Sequence, residues 1–158
     1  MIEIRTAETP DDIEAVRFLA LAHASSLREH PGSQQVRADA EKLPGPYVPP
    51  RGRLYLALLD SVPAGCVALR PIEAVAGEVK RMFVLSTARR NGVARALMEQ
   101  LVSDARRMGY TCLRLGTLSE MTAAQSLYRE LGFTQIARYR ADEMVDTVFF
   151  ELDLTHRV

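Results

Sequence analysis

The spacing of apolar residues changes period several times along the chain, and each change marks an element. Residues 2–6 (IEIRT) alternate apolar and polar and predict a short strand. Thr9-Pro10-Asp11-Asp12 has the make-up of a helix start: a hydroxyl to cap, a proline for the first helical position, and an acid placed to answer the cap. Ile13, Val16, Ala20, His23 or Ala24, and Leu27 then recur at helical spacing, and this helix is expected to end near His30-Pro31-Gly32. Residues 33–43 predict a second, shorter helix. Four prolines and two glycines in residues 44–52 exclude regular structure there and predict an ordered loop around Tyr47.

The pattern then turns to strands. Residues 54–59 (LYLALL) predict a buried strand, residues 60–65 a hairpin-like turn, and residues 66–69 its return. Residues 78–84 (EVKRMFV) predict a third strand of this group. From Ala94 the period becomes helical: Ala94, Leu97, Met98, Leu101, Val102, Ala105 and Met108 form a broad stripe that Gly109 ends. Residues 113–115 predict a strand core. Ala123, Ala124, Leu127, Tyr128 and Leu131 predict a helix stopped at Gly132, and residues 148–154 a last strand. The order β-α-α-β-β-β-α-β-α-β-β predicts a mixed sheet with helices on its faces.

Length and composition narrow the classes. The 158 residues predict one domain spanning 1–158, large enough to hold a core without disulfide or metal. Twenty basic residues balance twenty acidic ones, so no broad field draws the chain to nucleic acid or to an anionic membrane. No apolar run approaches the roughly 20 residues of a membrane span. The charged, alternating N-terminus lacks the apolar core of a secretory signal, which predicts a cytoplasmic protein. Cys66 and Cys112 are solitary and read as reduced core residues. His23, His30 and His156 have no partner at ligand spacing, so no metal is expected.

The stretch that carries chemistry is Arg89-Arg90-Asn91-Gly92-Val93-Ala94-Arg95. It joins a strand to the long amphipathic helix. The first turn of a helix leaves N–H groups unpaired at the positive end of its dipole, and a glycine there lets an anion come close to the backbone. With three arginines beside it, this turn reads either as a phosphate or pyrophosphate site or as an ordinary arginine-rich helix start. Neither a Walker loop nor a GxGxxG fingerprint is present.

This segment resembles the pyrophosphate motif of the GNAT superfamily of acyl-CoA-dependent N-acyltransferases, Gln/Arg-x-x-Gly-x-Gly/Ala. The preceding EVKRMFV is similar to the family's central strand. Ala124, Leu127, Tyr128, Gly132 and Phe133 resemble its Ala-x-x-Leu-Tyr-x-x-x-Gly-Phe block. The resemblance implies an α/β, or α+β, fold: a mixed, mostly antiparallel central sheet of six to seven strands with helices on both faces. It implies acetyl-CoA as co-substrate. The backbone from about Arg90 to Arg95 would hold its pyrophosphate, and Met82, Phe83 and Val84 would pair with the pantetheine arm.

It also implies an acceptor amine that attacks directly. Glu78 is the candidate general base, its pKa expected to be raised by partial burial. The other reading of Glu78 is an ion pair with Arg81 or another arginine. Tyr128 is the candidate general acid for the departing thiolate; the alternative is a packed aromatic. Where family members carry an Asn seven residues before that tyrosine, this chain has Met121, which cannot donate a hydrogen bond; that contact is either missing or supplied elsewhere, by Thr117 or Ser119. Tyr47, Arg81, Tyr139, Arg70 and Arg140 are expected on the acceptor side. The acceptor is a small-molecule or peptide amine, and a homodimer is open. The competing functions are an acyl-CoA-binding regulatory domain without turnover and an unrelated nucleotide-binding domain.

Overall fold

Residues 54–58 and 64–69 are buried without a break, so both faces of the sheet they form must be covered. The computed structural model describes residues 1–141 and 144–155; His156 lies outside the described residues. The elements are β1 (Ile2–Thr6), α1 (Pro10–Ser26), α2 (Gly32–Glu41), β2 (Arg53–Leu59), β3 (Val62–Pro71), β4 (Ala76–Val84), α3 (Val93–Arg107), β5 (Cys112–Leu118), α4 (Thr122–Glu130), β6 (Thr134–Ile136) and β7 (Thr147–Asp153). A single 3-10 turn, Ser86–Ala88, precedes α3.

The sheet order is β1-β2-β3-β4-β5-β7-β6. Every pair is antiparallel except β4 with β5. This is the mixed, mostly antiparallel sheet expected, at seven strands. One core packs Tyr55, Val67, Leu69, Val79, Leu113 and Leu115 of the sheet against Leu97, Met98 and Leu101 of α3. A second core packs Leu54, Leu56, Leu58 and Ala68 against Val16, Leu19 and Ala20 of α1 and Ala40 of α2.

Local chemistry explains most boundaries. Thr9 caps α1 by accepting a hydrogen bond from the Asp12 N–H at 3.1 Å, with Pro10 in the first turn. The helix ends at Ser26, earlier than its spacing suggests, because Arg28 turns left-handed (φ 54°). The β2–β3 turn is tighter than predicted. Leu59 pairs with Val62 across Asp60 and Ser61, both at positive φ, the geometry that matches strand twist in a two-residue hairpin. Cys66 is buried, but Cys112 is only half-buried.

The feature that positions the site is a parting of the sheet. β4 and β5 pair only over Ala76–Glu78 and Cys112–Arg114, although β4 runs on to Val84 and β5 to Leu118. On its other side, β4 slips register against β3 between the Cys66–Phe83 and Ala68–Lys80 pairs. That bulge holds Arg81 at φ 58°, the left-handed region that costs a non-glycine residue free energy.

Candidate active site

Where β4 and β5 diverge, a cavity of about 170 Å³ opens. Residues 79–82 of β4 and 115–118 of β5 form its walls, and His23 of α1, Gln35 of α2, Met121 and Tyr128 are part of the lining. His30 and Met144 also border it. The Nδ1 of His30 accepts from the Gly32 N–H at 2.9 Å, so its Nε2 is the donor to Asp146, 2.8 Å away. That contact ties the α1–α2 connection to the segment before β7.

The arginine-rich turn follows β4 directly. Arg89 is extended, Arg90 is left-handed (φ 68°), and Gly92 is left-handed (φ 81°) at the N-cap of α3. No side chain caps this helix, so the first-turn N–H groups of Val93, Ala94 and Arg95 keep the orphan character of a helix start. The turn is built to stay in place. Asn91 donates to the Ala88 and Arg89 carbonyls at 3.0 and 3.1 Å, and Arg89 donates to the Val84 carbonyl at 3.3 Å. Arg95 pairs with Glu130 of α4. The Val93 side chain is buried against the core, which leaves its backbone facing the turn.

Glu78 is 1% exposed and its carboxylate is fully engaged. Oε1 accepts from Arg70 Nε and Nη2 (2.9 and 2.7 Å) and from Arg140 Nη1 (2.7 Å). Oε2 accepts from the Tyr139 hydroxyl at 2.6 Å. Burial pushes its pKa up, but the Tyr139 hydrogen bond, the charge of Lys80 and the Arg70 guanidinium together hold it below the usual carboxylate range. The raised pKa expected from the sequence is therefore corrected: desolvation is outweighed by the Tyr139 hydrogen bond together with the cationic partners. Its ion pairs run to Arg70 and Arg140, while Arg81 turns to Asp39 of α2 at 2.7 Å.

Tyr128 is 4% exposed, lines the cleft, and packs tilted against Phe133 and Phe150. Burial alone raises its phenol well above the ordinary value, so it is protonated throughout the physiological range. Met82, Arg81 and Thr117 also reach the cleft. Phe83 points the other way, into the α1 core. Tyr47 is buried and donates its hydroxyl to Asp39 at 3.0 Å; it supports the wall rather than lining it. Tyr139 packs edge-on to Phe149 and is spent on Glu78.

Sequence reasoning passed over His23. Its ring stacks on Phe83 at 5.0 Å, its Nδ1 is buried without a protein partner, and burial with the nearby Arg81 charge lowers its pKa to about 4. The neutral imidazole therefore stands beside the cleft with one ring nitrogen unsatisfied. The signal was its place on the apolar stripe of α1. Among the described residues, no cluster of three or more His, Cys, Asp or Glu could hold a metal ion, and no helix is long and apolar enough to cross a membrane.

A family model described as Acetyltransferase (GNAT) family matches residues 17–133, from within α1 to the residue after Gly132. The chain belongs to the GNAT acetyltransferase family. Among curated relatives, the uncharacterized N-acetyltransferase YsnE of Bacillus subtilis is 29% identical over 129 residues, covering 78% of this chain and 82% of that protein. An acetyltransferase of the GNAT family from Staphylococcus aureus Mu50 superposes with a TM-score of 0.82 at 20% identity, over 98% of this chain and 99% of that one. The PaiA N-acetyltransferase of Thermoplasma acidophilum, solved in complex with coenzyme A, superposes with a TM-score of 0.77 at 19% identity, over 97% and 99%.

Proposed function

We propose that the protein transfers an acetyl group from acetyl-CoA to a primary amine by direct attack within a ternary complex. The observation that carries this reading is the parted edge of β4 leading into the uncapped, glycine-headed start of α3. An extended pantetheine arm fits an unpaired strand edge, and a pyrophosphate fits orphan N–H groups at a helix start. In this reading Met82–Val84 offer backbone to the arm, residues 90–95 take the pyrophosphate, and Thr117 adds a hydroxyl on the β5 side. The coenzyme A complex of PaiA supports the choice of ligand.

The co-substrate supplies a thioester carbonyl. A bond forms between the nitrogen of the neutral amine and that carbon, the carbon–sulfur bond breaks, and two protons must move, one off the nitrogen and one onto the sulfur. The amine loses one, and Glu78 is its proposed destination. The Tyr139 hydroxyl, donating to Oε2, is the proposed relay, because the carboxylate itself is shut off from solvent. Tyr128 gives the other to the departing thiolate; burial keeps its phenol protonated, as a donor must be, while making it a weaker acid. Arg81, Tyr139 and Tyr47, with Arg70 and Arg140, would shape the acceptor side.

The saturated hydrogen bonding of Glu78 favours a second reading, a domain that binds acyl-CoA without turnover. Calorimetric titration with acetyl-CoA, with ATP and NAD as controls, tests the shared cofactor assignment. Release of free thiol with an amine panel then separates enzyme from binder. Tyr128→Phe should lower turnover by about tenfold while leaving acetyl-CoA affinity within about twofold, since a thiol of pKa about 8.5 leaves fairly well unaided. Equal turnover in the two proteins would remove Tyr128 as the acid.

A further inference from the structure

The strain at Arg81 is held from outside the cleft. Inside a strand, a left-handed non-glycine residue persists only where its surroundings fix it. Two groups do so here. The Arg81 guanidinium donates to Asp39 Oδ2 at 2.7 Å, and the buried Cys66 thiol donates to the Arg81 carbonyl at 3.4 Å. Asp39 also accepts the Tyr47 hydroxyl on the same oxygen at 3.0 Å, so one carboxylate joins α2, the proline-rich loop and the bulge. Arg81 and Asp39 are 17% and 21% exposed, which keeps the pair out of bulk water. The bulge follows within three residues of Glu78, the last β4 residue paired with β5.

We propose that Asp39 is a positioning residue for the cleft: by gripping the Arg81 guanidinium it keeps the β4 bulge left-handed and the β4 edge open to acetyl-CoA. This rests on the reading that acetyl-CoA binds along that edge. Asp39 does not line the cleft, so it acts through Arg81. A structural ion pair would matter for melting temperature alone. A positioning pair instead makes acetyl-CoA affinity depend on how easily residue 81 adopts positive φ.

The backbone conformation supplies the test. Glycine takes positive φ about as readily as negative, whereas alanine is strained there. Acetyl-CoA is titrated calorimetrically into the wild type and the Asp39→Asn, Arg81→Ala and Arg81→Gly variants, with thermal melts run alongside. Asp39→Asn and Arg81→Ala should each bind about tenfold more weakly than the wild type. Arg81→Gly, which has lost the same side chain, should bind several-fold more tightly than Arg81→Ala. In the Arg81→Gly background, Asp39→Asn should have no further effect. Wild-type affinity in Asp39→Asn overturns the proposal, as do equal affinities in the alanine and glycine variants. If the wild type itself does not bind acetyl-CoA, the cofactor reading falls and this proposal falls with it. If the wild type binds and the variants do not differ, only the role of Asp39 falls.

Discussion

Gly92→Asp should weaken acetyl-CoA binding by about a hundredfold while the protein stays folded. Two terms add. Gly92 sits at φ 81°, where an L-residue is strained by about 1–2 kcal/mol. Its side chain would also place a negative charge at the start of α3, where a pyrophosphate would compete for the same N–H groups, a repulsion of about 1–2 kcal/mol. Together these are about 2–4 kcal/mol, a range that brackets the roughly 2.7 kcal/mol of two decades in Kd. Steric clash contributes little, since the nearest atom to an added Cβ is Ile2 Cδ1 at 4.0 Å. Gly92→Asn separates the terms, because asparagine meets the same backbone strain as aspartate but carries no charge. It should lose about tenfold at most. If calorimetry finds Gly92→Asp binding like the wild type, the pyrophosphate assignment of residues 89–95 is wrong.

Replacing Glu78 should cost more stability than any other single change near the cleft. Its carboxylate is the anion shared by Arg70 and Arg140, which are only 27% and 23% exposed. Removing one member of a buried pair typically costs about 3–5 kcal/mol, because the partner is left uncompensated. The residual water access of both arginines puts Glu78→Gln near the low end, about 3 kcal/mol, or a fall in melting temperature of about 6–12 °C for a domain this size. The effect must depend on pH in one direction. The folded pKa lies below the ordinary value of 4.5, so the stabilisation is present above that value and is lost as pH falls through the lowered one. Melting curves of wild type and variant should therefore diverge at neutral pH and approach each other in acid. A pH-independent gap would mean that packing, not charge, holds this cluster. The same variant tests the base: Glu78→Gln should turn over slowly at neutral pH and recover as pH rises toward the amine's own pKa. A flat profile would leave Glu78 as an anchor for Tyr139 and Arg140 alone.

The elements were legible because their signals are local. The stripe from Ala94 to Met108, the Thr9–Asp12 cap and the Gly109 and Gly132 stops each lie within a few residues, and the structure follows them. The family motif was legible for the same reason. What the sequence hid depends on distant pairing. Glu78 meets Arg140 across 62 positions, and nothing in either neighbourhood selects Arg140 or Arg70 over Arg81. The expectation of a raised pKa followed from burial alone and missed the Tyr139 hydroxyl and the cations that burial brought with it. The bulge was invisible because its left-handed residue is an arginine, where a glycine would have signalled it. Tyr47 looked like a loop aromatic open to a ligand, but the proline-rich segment folds its ring under α2.

The parting of β4 from β5 also decides how force travels through the molecule. The two halves of the sheet, β1 to β4 and β5-β7-β6, share three residue pairs of a parallel ladder, the weaker kind of rung. A load applied across the strands meets only three rungs there, as few as between β6 and β7 and of the weaker, parallel kind. Under the proposed reading, an extended arm laid along β4 would add rungs where the chain supplies none. The occupied protein would then resist pulling as one continuous sheet, and the empty one would yield along a built-in line of weakness.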